Sequence, residues 1–367
     1  MISKQELTKI ALVSTAMILM LVNIVGAEPF AYVPNYGDNT TTIIDTATNT
    51  VTSTVPVGHG PFGAAVSCKN AYITNSNDNT ITVIDTATNV PTAIVPVGYY
   101  PLGIAVTPDG TKVYVVNDVS NTTSVIDTST NAIITNVAVG GWPIAAAATP
   151  DGKQVYVTNS YDGTVSVIDT ATDKVVSTVT VGISPEGVAI TPDGTNVYVG
   201  NYADATVSVI NTTTNTVTAT VDVSGSPGGI AVSPDGTKVY VVDTYYWSVH
   251  VIDTATNSVT ATIYPIGDNP YGISVAPDGT KVYVAISGSY YVSVINTATN
   301  QAEGAVYVGN YPDSLGQFIQ PEGCYHNPKH HKPCEITLKT DPSTQSVDFL
   351  KFPVGDDCMT FPFGNRH

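Results

Sequence analysis

The sequence predicts an all-β chain folded as a seven-bladed β-propeller of four-stranded antiparallel blades. Three observations predict it. The segment VYVTNSYDGTVSVIDTATDKVVSTVTVG, Val155 to Gly182, returns as seven close variants between Ala31 and Gly309. The tyrosines Tyr32, Tyr72, Tyr114, Tyr156, Tyr198, Tyr240 and Tyr283 mark steps of 40, 42, 42, 42, 42 and 43 residues. A period near 40 built from short strands is the signature of a propeller blade. Helix signals are missing after residue 27, whereas turn signals recur at fixed offsets.

The unit from Pro143 to Gly182 shows how one repeat makes one blade. Ile144–Thr149 is a short apolar run for the inner strand. Pro150-Asp151-Gly152 is a turn in which Pro presets φ, Asp caps and Gly accepts positive φ. Gln154–Asn159 is the second strand, Tyr161-Asp162-Gly163 a second turn and Thr164–Asp169 the third strand. In the following DTATD turn Asp169 can cap its own loop and Asp173 can turn left-handed. Val175–Val181 is the outer strand. Pro-Asp-Gly recurs at Pro108, Pro150, Pro192, Pro234 and Pro277, and the outer turn ends in Asn or Asp in every repeat.

The ring closes across the chain ends. The first repeat begins at its second strand, Pro29–Asn35, and lacks an inner strand. Leu315–Gly323 matches the inner strand plus turn, as in Tyr271–Gly279. Blade one is therefore expected to take its inner strand from the C-terminal end and three strands from the N-terminal end, which protects the sheet edges of an open ring.

The strings Val155-Tyr156-Val157-Thr158-Asn159 and Val197-Tyr198-Val199-Gly200-Asn201, with the Asp-Thr-Ala-Thr-Asn and Pro-Asp-Gly turns, resemble the YVTN repeat of archaeal surface-layer and cell-surface proteins. The resemblance runs from Pro29 to about Gly323 and implies a propeller at a cell surface. It implies no catalytic motif. Departures are Val284-Ala285-Ile286, where Asn is expected, and Ser67-Cys68-Lys69-Asn70 in place of Thr-Pro-Asp-Gly.

Three segments are expected: a secretory signal over 1–27, the propeller over 28–323 and a Cys/His-containing extension over 324–367. Lys4 and Lys9 precede an apolar run from Ile10 to Val25 that ends in Val25-Gly26-Ala27, the pattern of a cleavable signal. An uncleaved anchor is the alternative, and membrane contact is expected only in that case. The protein is accordingly expected to be exported. With 30 Asp+Glu against 13 Lys+Arg and only 12% charged residues, the chain is acidic but sparsely charged, which argues against a nucleic-acid partner.

In a propeller the connections before the inner strand and between strands two and three share one face, the top. The Pro-Asp-Gly and Asp-Thr-Ala-Thr-Asn turns share the bottom. Bottom turns are nearly identical, but the top connections vary and are aromatic. The candidate binding residues are Tyr99, Tyr100, Trp142, Tyr161, Tyr202, Tyr246, Trp247, Tyr271 and Tyr291. Asp38, Asp78, Asp118, Asp162, Asp204, Asp243, Asp268 and Asp313 are interleaved with them. Rigid amphipathic rings beside carboxylates suit recognition of proteins or stacking on sugars. The alternative is that these rings pack between blades and fill the channel mouth.

No His-Glu-x-x-His, Gly-x-Ser-x-Gly or Gly-Lys-Ser/Thr motif occurs, and the single arginine is Arg366. His59 and His250, the propeller histidines, have no partner at a motif spacing. No cofactor is expected. Calcium is the one optional ligand, since Asp and Asn loops offer oxygen donors. Sequons stand at Asn39, Asn121 and Asn211.

The extension holds Cys324, Cys334 and Cys358, with His326, His330, His331 and His367. In an exported chain these cysteines and Cys68 are disulfide candidates. The topology favours Cys68–Cys324 across the ring closure, leaving Cys334–Cys358; a Cys/His metal site is the alternative. Ile336–Lys339 and Val347–Phe352 are expected to pair as a hairpin. The expected function is a non-catalytic surface module for structure, adhesion or protein interaction, docking cell-envelope proteins or glycans. A glycan-binding module is the alternative, and a lactonase-like hydrolase the third reading.

Overall fold

The computed structural model describes residues 29–321 and 324 in full, and the strands 337–341, 346–354 and 357–362 by their backbone. The expected leader over 1–27, Cys334 and the histidines beyond residue 324 lie outside these residues.

The four strands of the unit from Pro143 are Pro143–Ala148, Gln154–Asn159, Thr164–Asp169 and Lys174–Thr180, hydrogen-bonded in that order. The second and third pair without slip from Gln154↔Asp169 to Asn159↔Thr164. The third-to-outer pair shifts register between Val167 and Ile168, a bulge found at the same place in each blade from one to seven. Bulges increase local twist and blunt an exposed edge. The inner strand starts one residue earlier than its apolar run, on Pro143, where a strand tolerates proline because no ladder donor is needed.

The bottom turns follow from their residues. Asp169 Oδ1 accepts the N–H of Thr172 at 2.8 Å, and Asp173 takes φ 53°. Asn49, Asn89, Asn131, Asn215, Asn257 and Asn300 are left-handed in the same way, and Gly152 sits at φ 70° in its Pro-Asp-Gly turn. These are the residue types that tolerate that conformation.

The core lies between blades. Tyr72, Val83 and Val95 of blade two pack with Ile104, Val113 and Ile126 of blade three, and this pairing repeats around the ring. The last such cluster joins Tyr283 and Val294 of blade seven, Tyr32 and Ile43 of blade one, and Ala64 and Ile73 of blade two. Phe318 and Ile319 are wholly buried within it.

Residues 312–320 therefore complete blade one beside the sheet Phe30–Asn35, Thr40–Asp45 and Thr50–Pro56. Tyr32 N–H donates to Phe318 O at 2.8 Å, and Asp313 N–H to Pro34 O at 3.0 Å. The pairing is made by isolated bridges, Ala31↔Ile319 and Asn35↔Pro312, rather than by a regular strand. Gly316, at φ 119°, breaks the run. Cys68 and Cys324 are joined by a disulfide across a sequence separation of 256 residues.

A second unit, 325–367, contains an antiparallel sheet of Thr337–Asp341, Ser346–Val354 and Asp357–Pro362. Its first two strands form the expected hairpin, with Thr337 opposite Lys351. The third strand was not anticipated, because Met359 and Phe361 make too short an alternation to stand out. Among the described residues, no helix is long and apolar enough to cross a membrane.

Candidate functional site

The top face is built from paired loops. Ser160 N–H donates to Trp142 O at 2.9 Å and Tyr161 N–H to Gly141 O at 3.1 Å. Asp162 Oδ2 accepts the N–H of Gly141 at 2.7 Å. The same cap recurs where Asp38, Asp78 and Asp204 accept from Asn310, His59 and Ile183 at 2.6–2.7 Å. Four of the interleaved aspartates are thus loop caps as well as surface charges, which accounts for their regular spacing.

A second device fixes the residue before the inner-strand proline. The N–H groups of Gly60, Tyr100 and Trp142 donate to Asn39, Asn79 and Asn121 Oδ1 at 2.9–3.1 Å. Gly60 fits its left-handed backbone, but Tyr100 at φ 56° and Trp142 at φ 49° are bulky residues in a conformation that favours glycine. Of the sequon asparagines, Asn39 and Asn121 therefore stand in top loops with their carbonyl oxygens engaged. Asn211 is in a bottom turn, accepting from the N–H of Thr213 and Thr214.

Of the candidate binding residues, Tyr99, Trp142, Tyr161, Tyr246 and Trp247 are exposed. Trp142 and Tyr161 meet edge to face with centroids 5.2 Å apart, and Tyr245 and Tyr246 do so at 4.8 Å. Tyr100, Tyr202 and Tyr291 are half-buried. Tyr291 lies against Gly267 and Tyr307, so it packs within blade seven. Tyr271 departs from the expectation of a surface loop residue. It is the second residue of the inner strand Pro270–Val275, and its side chain meets residues of blades two and five across the centre of the ring.

The position after the inner-strand proline is Phe62, Leu102, Ile144, Glu186, Gly228, Tyr271 and Asp313 in the successive blades. Tyr271 Oη donates to Glu186 Oε2 at 3.0 Å, two blades away. It reaches over Gly228, whose missing side chain leaves room beside the Tyr271 ring and Thr244 Oγ1. That ring also meets Phe62 edge to face with centroids 5.7 Å apart. Burial pushes the Glu186 carboxyl up to about 7, opposed by the Tyr271 hydrogen bond. Burial pushes Asp313 up to about 6, opposed by the Ser287 hydroxyl that donates to it. Burial and the neighbouring Glu186 hold the Tyr271 phenol well above its ordinary range. A carboxyl poised near neutrality beside a phenol can exchange a proton with a bound molecule.

Sequence reasoning passed over Glu186. The signal was present: Glu186 and Glu303 are the only glutamates between Pro29 and Pro321, and Glu186 replaces an apolar residue at a repeat position.

The two histidines, without partners by spacing, have carboxylates in space. His59 Nδ1 lies 2.9 Å from Asp78 at the exposed rim. His250 Nε2 lies 3.3 Å from the buried Asp243, and its Nδ1 3.0 Å from Thr262 Oγ1. In blades one to five an Asn at the Asp243 position donates to a Ser or Thr hydroxyl at the His250 position, as Asn159 does to Ser166. Burial alone would raise Asp243; the His250 hydrogen bond and the N–H groups of Tyr246 and Ser226 outweigh it and hold its pKa below the ordinary value.

These features define a β-propeller with an aromatic, acidic top face. A family model described as a YNCE-like beta-propeller matches residues 107–195. No curated protein matches the sequence. Among solved structures, the chain is similar to one from Kuenenia stuttgartiensis hydrazine synthase, at 24% identity and a TM-score of 0.67, covering 73% of this chain and 92% of that one. It is also similar to a functionally unknown protein from Desulfotomaculum acetoxidans, at 19% identity and a TM-score of 0.66, covering 78% of this chain and 99% of that one. At these identities the likeness is one of fold.

Proposed function

We propose that this propeller is a non-catalytic recognition module of a cell surface and docks its partners through the top face. The observation that carries this reading is where backbone strain is kept. Left-handed positions in the bottom turns are filled by Asn, Asp and Gly, whereas the top loops hold Tyr100, Trp142, Trp247 and Tyr311 at φ 49–57°. Each bulky left-handed residue costs about 1 kcal/mol or more. Such strain has a use where the rings it presents are exposed, as those of Trp142, Trp247 and Tyr311 are. The repeat's resemblance to surface-layer proteins supports the location.

The test is co-sedimentation of the protein with isolated cell envelopes, with and without calcium. Wild type should bind, and the Trp142→Ala/Trp247→Ala double variant should lose binding with its melting unchanged. Equal binding by both proteins would remove the top face from the interaction; no binding by wild type would remove envelope docking.

A second reading, a lactonase-like hydrolase at the channel mouth, is favoured by one observation, the elevated Glu186 carboxyl against the Tyr271 phenol. Turnover on a lactone panel that Glu186→Gln abolishes would establish it.

A further inference from the structure

Deepening the docking role proposed above, we infer that the top face takes a cationic partner: a protein segment presenting Lys or Arg side chains to the corner formed by Trp142, Tyr161 and Asp162. The distribution of charge carries this. The lysines of the propeller are Lys69, Lys112, Lys153, Lys174, Lys238 and Lys281, and it contains no arginine. Every one of these lysines stands in a bottom turn or at the bottom end of a strand. The top loops hold no Lys or Arg, yet they carry Asp38, Asp78, Asp162 and Asp204, with Glu186 and Asp313 at the channel mouth. His59 is paired with Asp78. A face whose carboxylates lack cations concentrates positively charged groups and repels anions.

Exposed aromatic rings add a second attraction for the same chemistry. An ammonium or guanidinium is drawn to the face of Trp or Tyr. Both attractions meet at one place. Trp142 is 59% and Tyr161 71% exposed, and their rings lie 5.2 Å apart at 60°. Asp162 follows Tyr161 directly, and its Oδ2 is held by the N–H of Gly141. The Trp142 backbone is held by Asn121 Oδ1. Ring and carboxylate are therefore fixed on two zipped loops before a partner arrives, which limits the ordering cost of binding. A neutral glycan would stack on the rings and donate hydroxyls to the carboxylates but leave their charge uncompensated. An anionic polymer would be repelled.

The experiment measures binding of a fluorescent Lys-Gly repeat peptide to the full chain, with a Gln-Gly peptide and a neutral oligosaccharide as comparisons. The Lys peptide should bind and the Gln peptide should not. Affinity should fall about tenfold between about 0.05 M and about 0.3 M salt. Trp142→Gly and Asp162→Asn, the latter keeping the cap acceptor, should each weaken binding about fivefold with no loss of melting temperature. Asp151→Asn on the bottom face should leave it unchanged. Equal binding of the Lys and Gln peptides, or indifference to both top-face variants, would overturn the proposal. Envelope binding that persists at high salt and yields to the neutral oligosaccharide would also overturn it, while leaving top-face docking in place.

Discussion

The hydroxyl of Tyr283 donates to Asn49 Oδ1 at 2.7 Å, joining residues 234 positions apart in the chain. It also donates to Thr46 O at 3.0 Å. Around the ring the same tyrosine meets the outer turn of the following blade, as Tyr32 does with Asn89, Tyr114 with Asp173, Tyr156 with Asn215 and Tyr198 with Asn257. Tyr283 repeats that contact across the seam, so blade seven addresses blade one as blades one, three, four and five address their successors.

This ladder contains its own control. The Tyr240 hydroxyl is buried without a hydrogen-bond partner, and so is Asn300 Oδ1. Tyr283→Phe should lower unfolding free energy by about 1–2 kcal/mol, whereas Tyr240→Phe should be neutral or slightly stabilising. Urea denaturation of both variants measures this, and equal losses would contradict it.

Ring closure by the C-terminal segment should dominate stability. A chain ending at residue 311 lacks Phe318 and Ile319, both fully buried against blade one. It should melt well below a chain ending at 323 and unfold less cooperatively, and coincident melting curves would refute the closure. In the full chain, Cys68→Ser opens the link to Cys324. By unfolded-state entropy it should cost up to about 5 kcal/mol, read as a lower denaturation midpoint under non-reducing conditions.

Stability should depend on pH through the channel mouth. Glu186 is raised from 4.5 to about 7 in the folded chain, and Asp313 from 3.8 to about 6. A carboxyl raised by folding stabilises below its unfolded pKa, and that contribution is lost as pH rises through the folded value. Wild type should therefore lose stability from about pH 3.8 to about pH 7 at these sites. Glu186→Gln should flatten the upper part of the profile. Asp243, held low by His250, acts with the opposite sign and is lost only as pH falls below the ordinary carboxylate range. An unchanged slope between pH 6 and 8 in Glu186→Gln would show that Glu186 does not titrate there.

Trp142→Gly should separate stability from recognition. At φ 49° glycine relieves the backbone, as Gly60 does at the matching position. The variant should be more stable by up to about 1 kcal/mol and bind envelopes more weakly. Calorimetry beside co-sedimentation reads both. Reduced stability would show that the indole packs for the fold rather than being displayed for a partner.

Much of the fold was legible because its determinants are local. Gln154–Asn159 and Thr164–Asp169 are strands over the residues their alternation marks. The left-handed turn residues from Asn49 to Asn300 are the types such backbones require. The top face was legible only as composition. Sequence placed Trp142 and Tyr161 on neighbouring loops, but their ring contact depends on how those loops zip together. Tyr271 looked like a loop residue because it adjoins a turn, and Glu186 was unmarked because no motif surrounds it.

The amino-acid order by itself determined the blade: its period, its turns, its alternation and the segment left over to close the ring. Each depends on residues a few positions apart, whose preferences act before the chain is folded. Only the tertiary structure decided what meets at the axis. There Glu186, Gly228 and Tyr271 come from three blades, and a hydrogen bond spanning 85 residues exists because the ring has closed. Burial in that closed mouth, which no local pattern encodes, raises the carboxyls and gives the site its chemistry.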